Sequence, residues 1–395
     1  MRVVLNGLAA LKTRTGVGHH VADLFAALRK HDPASTFALY PGKVLGRAAS
    51  AMPVRRTAGS QAADGASSGW LKRTVKRAAK SICRVHFGGF ARTLGFDLYH
   101  EPNFVPFPSH LPTVVTVHDL SVLKYPDWHP ADRVAMHRKQ FLKGLDRAEH
   151  VIVVSEAVRR ELIDELGCPK DRVTAVHNGI AAQYVPQARE MVAAIRAKWH
   201  LPAKFLLAVG TIEPRKNLLM AMRAYLELPA SLRRECPFVL AGPWGWHSEP
   251  ERELLHRTGA DSGLRHLGYV PAAELPMLYA AARALIYPSH YEGFGLPPIE
   301  MLACGGAVIA STAEALVEVI GPHAEFVSPG DAAGWRNAMR RAAEDDAYLD
   351  RLRAGGRDWA VQYTWARAAE RTVEVYRRVL SHSPADAERA ALRTA

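Results

Sequence analysis

Ten short strand-like runs, interleaved with sequence of helical character, constrain this 395-residue chain more than any other feature. The first set lies at residues 3–5, 37–40, 114–117, 151–154 and 173–176. The second lies at 205–209, 238–241, 265–267, 284–287 and 307–310. Most are apolar throughout rather than alternating, which marks strands covered on both faces. Strand and helix in alternation give an α/β chain with doubly wound parallel sheets. The chain is too long for one ordinary core, so two Rossmann-like domains facing across a cleft are expected. A cleft of that kind suits a transfer between two substrates. The expected divisions are 1–184 for the first domain and 185–365 for the second. Residues 366–380 would form a helix returning to the first domain, and 381–395 a flexible tail. Ala369, Val373, Tyr376 and Leu380 keep the spacing of one helix face in that returning segment.

Composition narrows the class. Apolar residues make up 48% of the chain, which supports globular burial and argues against disorder. No run of about 18 uncharged apolar residues exists to span a membrane. The opening segment runs directly into a strand and Asn6-Gly7, without the layout of a signal peptide. Cys83, Cys168, Cys236 and Cys304 are scattered with no C-x-x-C pair, which fits a reducing cytoplasm and neither a zinc site nor a disulfide frame.

The formal charge of +12 calls for a partner. No nucleic-acid-binding signature stands out, so no nucleic acid is expected. Residues 71–86 carry Lys72, Arg73, Lys76, Arg77, Lys80 and Arg84 with no acid among them. Leu71, Val75, Ala78, Ala79 and Ile82 recur there at helical spacing. Such a helix either lies on an anionic membrane surface or is the solvated face of an ordinary helix. Residues 46–70, rich in Ala, Ser and Gly, read as a loop before it.

The segment with the most chemistry follows the run at 284–287. Tyr287-Pro288-Ser289-His290-Tyr291-Glu292-Gly293-Phe294-Gly295-Leu296-Pro297-Pro298-Ile299-Glu300 sets two carboxylates on a strand-to-helix connection, with two glycines baring backbone N–H groups between them. In an open parallel sheet, ligands bind at the carboxyl ends of strands, where helix N-termini offer donors. Two carboxylates there suit a ligand with one phosphate region and two sets of hydroxyls, which describes a nucleotide sugar. A second run, Gly210-Thr211-Ile212-Glu213-Pro214-Arg215-Lys216-Asn217, places two cations at a helix start, against the dipole. A buried diphosphate needs such partners. In the first half, Thr15-Gly16-Val17-Gly18-His19 makes a glycine-rich strand-to-helix turn, and Thr116-Val117-His118-Asp119 ends a strand.

These runs resemble the Glu-x7-Glu signature and companion motifs of retaining GT-B glycosyltransferases, family 4, and the similarity extends to about residue 380. It implies that Glu292 contacts the donor sugar, that Glu300 contacts the ribose, and that the backbone of Gly293, Phe294, Gly295 and Leu296 meets sugar and phosphates. Gly210, Thr211, Arg215 and Lys216 correspond to the phosphate-binding loop. Many members carry an arginine where this chain has Thr211, so neutralisation would fall on Arg215 and Lys216. Tyr269 and Val270 match the segment whose backbone meets the nucleobase. Gly16, Val17 and Gly18 would face the diphosphate, with His19 and His20 beside them incidental. His118 would contact the sugar and help stabilise the transition state, while Asp119, His100 and Trp128 would lie on the acceptor side.

The resemblance implies a metal-independent, cofactor-free hexosyltransferase, with GDP-mannose as the favoured donor and a saccharide or lipid-linked acceptor in polysaccharide biosynthesis. No Asp-x-Asp motif sits at a strand end, and the leaving diphosphate would itself take the acceptor proton. The expected location is cytoplasmic, peripheral on the inner membrane face if the basic segment binds lipid. Two rivals are a GT-B sugar-nucleotide 2-epimerase, separated by products formed without acceptor, and a non-catalytic basic binding module, separated by nucleotide-sugar binding.

Overall fold

The computed structural model describes residues 1–11, 16–41, 83 and 85–381. Strands β1 (Arg2–Asn6), β2 (Thr36–Tyr40), β3 (Leu98–Glu101), β4 (Thr113–Val117), β5 (His150–Val153) and β6 (Val173–Ala175) form one parallel sheet, ordered β2-β1-β3-β4-β5-β6. Strands β7 (Leu206–Val209), β8 (Phe238–Ala241), β9 (Leu264–Gly268), β10 (Ala284–Tyr287), β11 (Ala307–Ser311) and β12 (Glu325–Val327) form the other, ordered β12-β11-β10-β7-β8-β9. Each order reverses once, between β1 and β3 and between β7 and β10. Those reversals open the crevices where doubly wound sheets bind ligands.

The apolar runs become strands because both faces of each sheet are covered. Side chains alternate across the pleat. Leu207, Val239, Leu285 and Val308 pack to one side of the second sheet, and Leu206, Phe238, Ile286 and Ile309 to the other. In the first sheet, Val115, Val117, Val151 and Val153 meet Phe141 and Leu145 of the helix Ala131–Arg147 and Val158 and Leu162 of the helix Glu156–Asp164. The opposite face carries Val3, Leu5, Leu98, Val114 and Ile152. The C-terminal helix Trp365–Ser381 covers that face together with the helix Gly16–His31, burying Ala369, Val373 and Tyr376. Its apolar stripe thus completes the core of the first sheet, although the chain arrives from the second.

Two strands escape the sequence pattern. β12 is a short, partly exposed edge. β3 is central and wholly buried, yet half of it is polar. Its His100 is fully buried, with Nδ1 2.6 Å from the Tyr376 hydroxyl and Nε2 2.8 Å from that of Thr116. Burial holds the imidazole far below its usual range, at about 3, so it is neutral. This corrects the acceptor-side reading of His100, which is an interior residue joining β3 to β4 and the C-terminal helix. Glu101 beside it accepts from Asn6 Nδ2 (2.6 Å) and the Tyr99 hydroxyl (2.7 Å).

Of the basic stretch 71–86 only Cys83, Val85 and His86 are described, so the amphipathic reading falls outside the described residues. Among those described, no helix is long and apolar enough to cross a membrane.

The His100–Tyr376 contact gives a direct stability test. Tyr376→Phe leaves a buried imidazole nitrogen without its partner, which costs about 1–3 kcal/mol. Denaturant unfolding should show the loss, with nucleotide affinity unchanged because the contact lies in the core.

Candidate active site

At the order reversal of the second sheet, the loops leaving β7 and β10 lie side by side. The β7 loop passes Gly210, Thr211, Ile212 and Glu213 and closes in the turn Pro214–Lys216. Asn217 then turns the corner in the left-handed region at φ 55°, which asparagine tolerates better than most residues. Its amide donates to the carbonyls of Pro288 (3.1 Å) and Pro329 (2.8 Å), fixing this turn to the β10 loop. The β10 loop ends at Gly295, where φ is +98° and an added Cβ would lie 2.4 Å from Leu316. From there the helix Leu296–Ala303 begins.

The crossing of these loops produces a cluster of four charges, the two carboxylates buried and the two cations largely so. Glu292 accepts hydrogen bonds from Arg215 Nη1 (2.6 Å) and Lys216 Nζ (2.6 Å). Arg215 also donates through Nε (3.1 Å) and Nη2 (2.9 Å) to Glu213, and to the Tyr291 carbonyl (2.9 Å). Lys216 donates to the Tyr287 hydroxyl at 2.6 Å. Burial alone would raise the Glu292 carboxyl, but Arg215 and then Lys216 outweigh it and bring it to about 2. Burial lowers Lys216, and Arg215 adds to that while Glu292 opposes it. Two anions and two cations balance, and their charge-assisted bonds offset desolvation that would cost several kcal/mol for an unpaired ion.

Glu300 is different. It lies within the helix Leu296–Ala303 rather than in the loop, and accepts from the Tyr279 hydroxyl at 2.9 Å. No cation is paired with it among the described residues. Burial pushes its carboxyl up to about 7, against the pull of the Tyr279 and Tyr184 hydroxyls.

The first domain meets this loop directly. Gly293 lies so close to the His118 carbonyl that an added Cβ would sit 1.7 Å from the oxygen, so no side chain is admissible there. Ser155 caps the helix Glu156–Asp164 and donates to the Gly293 carbonyl at 2.7 Å. Tyr291 donates to Glu161 (2.6 Å) and accepts from the Leu120 N–H (3.0 Å). Phe294 is buried against His177 and Tyr363. His118 donates from Nε2 to the Pro102 carbonyl at 2.9 Å, and burial lowers its pKa, leaving the ring neutral with Nδ1 as an acceptor. Asp119 accepts from the N–H (2.9 Å) and hydroxyl (2.6 Å) of Ser121. Burial would raise that carboxyl, but the Arg215 charge leads the forces that lower it.

Several expected residues stand apart from this centre or differ in form. Gly16, Val17 and Gly18 form the first turn of a helix, not a loop. Tyr269 and Val270 follow β9, beyond β8 from the β7 loop; Tyr269 is 52% exposed and Val270 buried. Trp128 packs where the two domains meet. Its ring lies between Tyr125 (4.1 Å, 17°) and His290 (5.6 Å, 22°), and its carbonyl accepts from Trp246 Nε1 at 2.7 Å, so it joins the two domains. Sequence reasoning missed Glu213, Tyr287 and His20. Glu213 and Tyr287 lay inside quoted motifs without a role. His20, taken as incidental, packs edge-on to His118 at 4.7 Å and meets Asn178 Oδ1 at 2.8 Å. Nothing in its local sequence signals that contact.

Two doubly wound sheets meeting at their carboxyl ends, with carboxylates and cations on the connecting loops, define a nucleotide-sugar-type site on a GT-B scaffold. Residues 14–184 match the family model described as Glycosyltransferase Family 4, and residues 193–359 that of Glycosyl transferases group 1. An O-antigen chain mannosyltransferase B of Escherichia coli is 35% identical over 71% of this chain and 74% of its own length. A serotype-specific mannosyltransferase of the same organism is 30% identical over 69% of this chain and 34% of its own length. In fold, a sucrose-phosphate synthase from Thermosynechococcus elongatus superposes with a TM-score of 0.72 at 20% identity, covering 97% of this chain and 99% of that one. The chain belongs to glycosyltransferase family 4 and is a GT-B glycosyltransferase.

The Glu300 environment has a measurable consequence. Its folded value of about 7 exceeds the ordinary 4.5. The folded state therefore keeps a proton that the unfolded state releases, so stability falls as pH rises from 4.5 to 7 and the loss is complete above that. Glu300→Gln removes this term. Thermal denaturation of unliganded protein should show the variant gaining on wild type across that window, with a constant advantage at higher pH.

Proposed function

We propose that this glycosyltransferase is a retaining mannosyltransferase, moving mannose from GDP-mannose to a saccharide or lipid-linked acceptor in surface polysaccharide assembly, without a divalent ion. The observation that carries this reading is Glu292 held between Arg215 and Lys216 where the strand order reverses. An entering diphosphate offers oxygens that replace the Glu292 carboxylate on these two cations. Glu292 is then released toward the sugar hydroxyls, and the cations are ready for the charge that grows on the leaving diphosphate. Such prearranged charge is the largest single contribution in many enzymes. Glu300 serves the ribose hydroxyls, and neutral His118 presents Nδ1 as an acceptor to a sugar hydroxyl. The diphosphate oxygen takes the acceptor proton as the new bond forms on the face it leaves. Mannose is favoured by the mannosyltransferases found among the relatives. Attachment to the inner membrane face belongs to the same proposal and rests on the basic sequence at 71–86.

The test is turnover against a panel of GDP-mannose, UDP-glucose and dTDP-rhamnose in excess EDTA, with the product anomer read by proton NMR. GDP-mannose alone should be consumed, giving an α-linked product. Lys216→Ala should lower kcat by about 10- to 100-fold, the equivalent of one charged hydrogen bond of about 1.5–3 kcal/mol. A β-linked product, a different preferred donor or a strict magnesium requirement overturns the corresponding part.

A further inference from the structure

A cavity of about 550 Å³ lies at the crossover between the domains, apart from the Glu292 cluster. Its position follows from the chain path. The strand of chain leaving β6 pairs at Ile180 with Thr364, just before the C-terminal helix returns. The volume falls within the ~300–1,000 Å³ typical of small-molecule sites.

The lining chemistry indicates the occupant. Glu156 and Glu318 stand with Arg367 and Arg371 around one space, so carboxylates and guanidiniums balance. Glu318 is engaged by His177 (2.7 Å) and caps the N–H groups of Glu156 and Ala157 (both 2.8 Å). Arg371 pairs with Glu374 at 2.9 Å, whereas Arg367 has no ion pair or side-chain hydrogen bond among the described residues. A charged ligand gains little where opposite charges cancel. A neutral ligand rich in hydroxyls gains from both kinds, because each hydroxyl donates and accepts at once. Gln362 adds an amide of both characters, and Trp359 and Tyr363 add ring surface for the apolar faces of a sugar. The wall is also shared with the transfer site: Asn178 lines the cavity and contacts His20, which packs on His118.

We infer that this crossover cavity is a second saccharide site, taking a short neutral oligosaccharide. Its ligand class stands on the lining alone, while identifying the occupant as a part of the growing acceptor chain rests on the function proposed above.

The experiment is isothermal titration of mannotriose, with maltotriose and inorganic phosphate as parallel probes, into protein saturated with GDP. The double variant Gln362→Ala/Arg367→Ala alters only the cavity, and its GDP affinity reports that the fold is retained. Mannotriose should bind wild type and bind the variant at least 10-fold more weakly, with GDP affinity unchanged. Equal mannotriose affinity in the two proteins overturns the site, as does the absence of binding by either trisaccharide. Phosphate binding that depends on Arg367 and excludes trisaccharide makes it an anion pocket and also overturns it. If GDP-mannose is not a donor while mannotriose still binds at the cavity, the proposed function falls and the second site stands.

Discussion

The pairing of Glu292 with Arg215 and Lys216 is the interaction on which the site depends. Each of these ions is largely buried, and any of them left there without its partner would cost several kcal/mol. Together with Glu213 they form a neutral set held by two loops of adjacent strands. The cluster keeps two cations charged and positioned in an unliganded protein, where isolated burial would push Lys216 toward its neutral form. In the function proposed above, an incoming diphosphate takes the place of the Glu292 carboxylate on these cations, and Glu292 turns to the sugar hydroxyls.

The fold supplies the rest by bringing backbone close to backbone. Gly293 touches the His118 carbonyl, and Ser155 and Tyr291 tie the same loop to the first domain. A second seam lies at Trp128, flanked by Tyr125 and His290, and a third where Glu318 caps the helix Glu156–Asp164 across the domains. These contacts are local, polar at Ser155, Tyr291 and Glu318 and aromatic at Trp128, and they hold the carboxyl ends of the two sheets against each other.

How much was legible in the sequence follows from which forces are local. β10 and β11 could be read because they are wholly buried and, but for the final Ser311, carry apolar or aromatic side chains, and the returning C-terminal helix because its stripe keeps one face. β3 could not, since His100 and Glu101 are satisfied by Tyr376, Thr116, Asn6 and Tyr99, some of them far along the chain. The carboxylates and cations of the second domain could be singled out by their motifs. Their mutual pairing could not, because Lys216 and Glu292 are 76 positions apart and meet only through strand order. His100 was misread for the same reason: burial and the far-off Tyr376 decide what its ring can touch.

The claim that Glu292 holds the diphosphate cations until the donor arrives is tested most directly by the affinities of GDP and GDP-mannose for wild type and Glu292→Gln, measured by isothermal titration. Without the carboxylate, the cations no longer exchange partners when GDP binds, while the mannose loses its charged acceptor. The account predicts GDP binding at least as tight in the variant, with the added affinity of GDP-mannose over GDP abolished. Weaker GDP binding with the mannose increment intact would contradict it.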